Sequence, residues 1–226
     1  MKKTDPHPKS WEIIQTQLSD QRREKLQTVA SRRTDYLTVV LQGIHDPHNI
    51  SACIRSAEAL GIQNIHIIPP PDSNKSYRAT TPAKGARDWV DIHRYKSITE
   101  CADYLKKKGY RLMGAYPPSE RTVSLAQIGV IKPVAVVFGN EHAGLDPSWV
   151  DILDGRFTIP MHGMVESFNI SVAAAISLFT IQQKAFNLLD KDFFISKERQ
   201  LELLNKWALK QRRNSDKIIA EQTKDS

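Results

Sequence analysis

A chain of 226 residues that is 40% hydrophobic and 25% charged can bury a substantial core, as one domain with extensions or two small ones, and its balance excludes a disordered or fibrous protein. It has no run of about 18 apolar residues to cross a bilayer and no apolar stretch in the opening MKKTDPHPKS, so a cytoplasmic protein is expected; Cys53 and Cys101 are too few for a disulfide framework and are expected to be buried thiols. The formal charge of +7 sits at the ends: residues 1–34 hold eight Lys/Arg against four Asp/Glu, 184–226 ten against seven, and 35–183 fourteen of each, which fits either appendages that hold a polyanion or solvated helix faces.

Trp11–Leu18 and Ser19–Val29 are predicted as short helices, since Ile14 and Leu18 recur at i+4 and Ser19 can cap the second. With Arg22, Arg23, Lys25, Arg32 and Arg33 they make residues 1–34 a basic helical arm. Tyr36–Leu41 is a β-branched apolar run of buried-strand length. GIHDPHN follows it, then a helix over Ile50–Leu60 that Gly61 ends, with Asn49 well suited to cap it.

Asn64–Ile68 is predicted as the second strand, stopped by Pro69, Pro70 and Pro71. The polar stretch Asp72–Asp88, with Lys75, Arg78, Lys84 and Arg87, is predicted as a long mobile loop able to contact substrate. Trp89–His93 follows as a third strand. Ser97 to Glu100 forms a capping box for a helix closed by Gly109. Arg111–Ala115 and Val134–Phe138 are further buried strands, Asp146-Pro147 opens a helix near Trp149, and Phe157–Pro160 is the last strand. Beyond the core at 35–189, residues 190–226 form a basic extension: one amphipathic helix over Ser196–Lys217 has Leu201, Leu204 and Trp207 or Ala208 as its apolar stripe and Lys206, Lys210, Arg213 and Lys217 on another face. Strands alternating with helices imply an α/β fold with a mainly parallel sheet covered on both faces.

The stretch IPMHGMVESFNISVAAAISL, Ile159–Leu178, is where function is expected to concentrate. A strand end there passes through a turn carrying Glu166, Ser167 and Asn169 into a small-residue helix, leaving backbone N–H groups and polar side chains at the carboxyl edge of the sheet. Ser167 and Asn169 would equally serve as helix caps. Other chemistries lack support. No G-x-G-x-x-G follows the first strand, and no G-x-S-x-G elbow is present. The glycines of Gly139-Asn-Glu-His-Ala-Gly144 stand at P-loop spacing, but Leu145 and Asp146 follow where Lys and Ser/Thr are required. His45 and His48 make a weak zinc pattern without a second spaced pair, and no metal is expected.

Three junction segments remain: Asn49-Ile-Ser-Ala-Cys-Ile-Arg55, Phe138-Gly-Asn-Glu-His-Ala-Gly-Leu145 and the Ile159 stretch. In order, spacing and residue type they resemble the three motifs of the SPOUT superfamily, specifically the TrmH (SpoU) family of RNA ribose 2′-O-methyltransferases, from about Arg32 to Leu189. The string RRTDYLTVVLQGIHDPHNISACIRSAEALG is most similar to the members that methylate a guanosine in the tRNA D-loop. The resemblance implies a C-terminal trefoil knot, a homodimer and S-adenosylmethionine as cofactor. It assigns cofactor contacts to Ala115, Gly139, Ile159, Met161 and Phe168, action on the 2′-hydroxyl to Arg55, and completion of the site to Asn49, Glu141, Ser167 and Asn169. Ala115, Glu166 and Phe168 stand where relatives often carry Thr, Gln and Leu. Glu141 could equally act structurally, by bonding groups of the first motif or the partner subunit. A ribosomal-RNA methyltransferase of the same family and a non-catalytic RNA-binding module are the alternatives.

Overall fold

The computed structural model of the chain describes residues 6–71, 85–211 and 214–223. It divides into two compact units, Thr34–Phe193 and a second that joins Met1–Arg33 to Phe194–Ser226.

The Thr34–Phe193 unit is built on a seven-stranded sheet: β1 (Leu37–Gln42), β2 (Asn64–Ile68), β3 (Asp91–Arg94), β4 (Arg111–Ala115), β5 (Val123–Ser124), β6 (Val134–Phe138) and β7 (Gly155–Thr158), in the order β3-β2-β1-β6-β4-β7-β5. Every pairing is parallel. β1 and β6 lie side by side in the centre, with Leu37 opposite Val134 and Leu41 opposite Phe138. Both are mostly apolar and rich in valine because a central parallel strand is covered on each face. β5 is only two residues long and gives no periodic signal in the sequence.

The helices α3 (Pro47–Ala59), α4 (Ile98–Lys107) and α5 (Ile170–Leu189) cover the sheet. Alternate strand positions point to opposite faces. Val40, Leu112, Ala135 and Val137 meet Cys101, Ala102 and Leu105 of α4, together with Trp149, in one buried cluster. α3 and α5 pack on each other and on β1. Cys53 and Cys101 are both free and buried, and burial pushes each thiol up to about 12.

Local signals account for most element ends. Ser97 accepts from the Glu100 N–H, and the Glu100 carboxylate accepts from the Lys96 N–H, so the box closes one residue earlier than its usual form. Gly61 and Gly109 end α3 and α4 with φ of 75° and 84°. Two expectations are corrected. α3 begins at Pro47 rather than Ile50, because Asp46 caps it by accepting from the His48 N–H and Pro47 occupies the first turn. Asn49 is therefore inside the helix and is not its cap. Asp146 likewise accepts from the Ser148 N–H, but the turn it opens is a three-residue 3-10 helix, Pro147–Trp149. Of the long polar loop, residues 72–84 lie outside the described residues.

In the second unit, α1 (Ser10–Gln15) and α2 (Asp20–Ser31) come from the N-terminal flank and α6 (Lys197–Ala208) and α7 (Ser215–Gln222) from the C-terminal one. Ser19 and Ser196 cap α2 and α6 through the N–H groups of Arg22 and Arg199. Ile14, Leu203 and Trp207 are buried, the Trp11 N–H donates to Asn205 Oδ1 at 2.7 Å, and the Arg33 guanidinium lies 5.4 Å from the Trp207 ring centre. The single helix expected over Ser196–Lys217 is two helices; Lys206 and Lys217 share no helix, and Leu201 is exposed while Leu203 and Leu204 are buried. The basic spacing that suggested one long face therefore spans a break. Among the described residues no helix is long and apolar enough to cross a membrane.

Candidate active site

At the carboxyl ends of β4, β6 and β7, where open α/β sheets bind ligands, the chain leaves a cleft of about 460 Å³. Its lining is partly apolar, from Ala115, Phe138, Phe157, Ile159 and Met161, and partly polar, from Glu141, Glu166, Ser167 and Asn169. Such a space suits a ligand with both apolar and polar parts.

The turn after β6 contributes Gly139, Asn140, Glu141 and Gly144 to the cleft lining. Asn140 and Gly144 exchange backbone hydrogen bonds of 2.8 and 2.9 Å. A Cβ on Gly139 would stand 2.2 Å from the Gly144 carbonyl carbon and oxygen, so only glycine permits the closed turn. The two glycines with P-loop spacing thus close a tight backbone turn.

A directed chain of hydrogen bonds links the three expected motifs. Asn169 caps α5, its Oδ1 accepting from the Ser171 N–H at 2.9 Å and from the Ser171 hydroxyl at 2.7 Å. With Oδ1 occupied, Nδ2 faces outward and donates to Asn49 Oδ1 at 3.1 Å. Asn49 Nδ2 must then be the free donor, and it reaches Glu141 Oε1 at 3.0 Å. A helix cap on one segment therefore fixes the amide orientation on the next and presents a donor to the carboxylate on the third. Glu141 bonds a group of the first motif, one of the two roles left open by its sequence. Its charge also contributes, after burial, to raising the Cys53 thiol.

Glu141, Ser167 and Asn169 line the cleft, as do Ala115, Gly139, Ile159, Met161 and Phe168. Asn49 joins them through its hydrogen bonds. Arg55 is not brought into the lining. It is exposed on α3, about 9 Å beyond Asn49 along the helix axis, and makes no hydrogen bond or ion pair among the described residues. Asn140 and Tyr116 also line the cleft; neither carries a site signal of its own in the sequence, although Asn140 directly precedes Glu141. Among the described residues no group of three His, Cys, Asp or Glu could hold a metal ion.

An all-parallel α/β sheet with a cleft of mixed apolar and polar lining at its carboxyl edge is the arrangement in which open α/β proteins bind ligands. Residues 36–179 match the SpoU rRNA Methylase family, and the chain belongs to that family. It is similar to the tRNA (guanosine(18)-2′-O)-methyltransferase of Thermus thermophilus, 34% identical over 166 residues that cover 74% of this chain and 84% of the relative. Among solved structures it resembles the TrmH/SpoU tRNA modifying enzyme of A. aeolicus, with TM-score 0.71 and 27% identity over 84% of this chain and 96% of that one. It also resembles the SpoU methyltransferase AviRb of Streptomyces viridochromogenes in complex with the cofactor AdoMet, with TM-score 0.56 and 27% identity over 67% of this chain and 57% of that one.

Proposed function

We propose that this protein transfers the methyl group of S-adenosylmethionine to the ribose 2′-hydroxyl of a guanosine in the tRNA D-loop. Family membership and the likeness to the Thermus thermophilus enzyme support this reaction. The observation that carries it is the cleft at the ends of β4, β6 and β7 with Asn169, Asn49 and Glu141 hydrogen-bonded in series among its polar groups.

The cleft's residues fit the cofactor. Gly139 leaves backbone rather than side chain in the lining, and Ala115, Ile159, Met161 and Phe168 offer apolar contact for an adenosyl group. When bound, S-adenosylmethionine supplies a methyl group already activated by its sulfonium centre. The protein's own residues then have to align the ribose oxygen and ease the loss of its proton. Asn49, Glu141, Ser167 and Asn169 hold the ribose side. Arg55, exposed and unpaired among the described residues, binds the phosphate next to the target ribose and orients the hydroxyl, with a phosphate oxygen or another group taking the proton. A guanidinium stays protonated in proteins and is a poor base. Single-turnover methyl transfer is accordingly expected to be flat from neutral to mildly alkaline pH; a sigmoidal rise there would put a titrating side chain in the role of base.

Three larger features belong to the same reading. The protein is a homodimer: Val172, Phe179 and Phe186 repeat at seven-residue spacing on α5 and are exposed, an apolar stripe suited to a second copy. The C-terminal part of the sheet unit is threaded as a trefoil knot, a rare exception to unknotted topology, as the resemblance of the three motifs implies. The basic flanks at 1–34 and 190–226 hold the tRNA backbone. A tRNA substrate puts the site of action in the cytoplasm.

The family's description names ribosomal RNA, which favours a second reading in which the same residues methylate a ribosomal guanosine. One assay decides between them. Methyl transfer is measured on tRNA transcripts and on ribosomal-RNA fragments, and tRNA nucleosides are analysed from a strain lacking the protein. Transfer to tRNA and loss of 2′-O-methylguanosine in that strain are expected; transfer to ribosomal RNA alone would replace the tRNA reading.

A further inference from the structure

Asn140, at the head of the turn after β6, holds two loops with one side chain. Its Oδ1 accepts from the backbone N–H groups of His142 and Ala143, both at 2.9 Å. Two donors on that side fix the amide orientation, so Nδ2 points the other way. It donates to the Gly43 carbonyl at 2.9 Å and approaches Glu141 Oε2 at 3.5 Å. Gly43 is where the chain leaves β1, and its own N–H donates to the Ile68 carbonyl at 2.8 Å. The segment it begins carries Asp46, the cap of α3, and then Asn49. Asn140 thus joins the turn that bears Glu141 to the loop that delivers Asn49, its bonding partner.

We propose that Asn140 is a positioning residue for methyl transfer: its amide binds the Gly43 carbonyl and the Glu141 carboxylate together, and so holds Asn49 and Glu141 at hydrogen-bonding distance. Neither a hydroxyl nor a carboxylate can replace it. Serine keeps an acceptor for the turn but is too short to reach Gly43. Aspartate keeps the turn but presents an oxygen to two acceptors. The inference rests on the methyltransferase reading and adds a residue to it.

The test uses Asn140→Asp and Asn140→Ser in the full chain, with single-turnover methylation of tRNA, S-adenosylmethionine affinity by calorimetry and thermal melting. A carboxylate at 140 beside the Gly43 carbonyl and Glu141 keeps its proton to higher pH than an isolated aspartate, and once protonated it can donate to Gly43 again. Asn140→Asp is therefore expected to lose about tenfold or more in rate at mildly alkaline pH, a loss typical of misplaced reacting groups, and to recover toward the wild type as pH falls. Asn140→Ser is expected to be slow at every pH, and in both variants, folded at the assay temperature, the loss of rate is expected to exceed any loss of cofactor affinity. Rates within about twofold of wild type for both variants at mildly alkaline pH would overturn the proposal, as would a defect in both that follows lost cofactor binding or folding. Absence of any transfer by the wild type would instead remove the methyltransferase reading itself.

Discussion

At the scale of single residues, the site depends on groups whose freedom has been removed. Glu141 holds Asn49 because Asn49 has one donor left, and it has one left because Asn169 is already committed to capping. Gly139 is fixed by space rather than by chemistry. Gly139→Ala is expected to lose S-adenosylmethionine binding and about 1–3 kcal/mol of stability, because the added methyl group meets backbone that cannot yield; calorimetry and a denaturant midpoint check both. His66 makes a different prediction. It is 1% exposed, 2.8 Å from the Tyr95 hydroxyl and stacked on His93, and its Nε2 has no hydrogen-bond partner among the described residues. Burial first and His93 second lower its pKa to about 3. The folded protein then stays neutral at this ring where the unfolded chain takes up a proton, so stability is full above about pH 6.5 and falls below it. The slope approaches about 1.4 kcal/mol per pH unit. His66→Gln is expected to flatten the acid side of the profile of denaturant midpoint against pH; an unchanged slope would assign the loss to other groups.

At the scale of elements, the caps do more than end helices. Asp46 and Pro47 start α3 three residues earlier than apolar spacing suggests, which puts Asn49 on the first turn with its side chain free to face the neighbouring loops. Asn169 both starts α5 and donates to Asn49, and the two roles can be separated. Asn169→Asp keeps the capping oxygen but loses the donor, so stability is expected to remain within about 0.5 kcal/mol of wild type while methyl transfer falls at least about tenfold. Asn169→Ala is expected to lose the rate and also about 1 kcal/mol from the cap. Equal activity of the aspartate variant and the wild type would show that the link between Asn169 and Asn49 is dispensable. The motif segments were legible in the sequence because strand-to-helix junctions carry local signals. The hydrogen bonds between them were not, since Asn49 and Asn169 lie 120 positions apart and no periodicity reports such a pairing.

At the scale of the whole molecule, charge and sheet order matter most. The flanking stretches 1–34 and 184–226 carry +4 and +3 against a neutral centre. If they hold tRNA, its affinity falls steeply with salt, and replacing Arg22, Arg23 and Lys25 by Gln is expected to reduce the slope of log affinity against log salt by up to about 3. The same change is expected to raise KM for tRNA and leave kcat near wild type; a fall in kcat alone would place these residues in another role. The sequence by itself determined the class of fold and the central strands β1, β2, β4 and β6, because apolar runs, caps and glycines act over a few neighbouring residues; the motif segments stood out through their resemblance to a known family. Only the tertiary structure decided that β6 lies between β1 and β4, that the two flanks form one compact unit, that the C-terminal extension breaks into two helices, and that Asn140 joins loops 97 positions apart. Those outcomes depend on which distant groups can be buried and hydrogen-bonded at the same time, a condition on the whole chain.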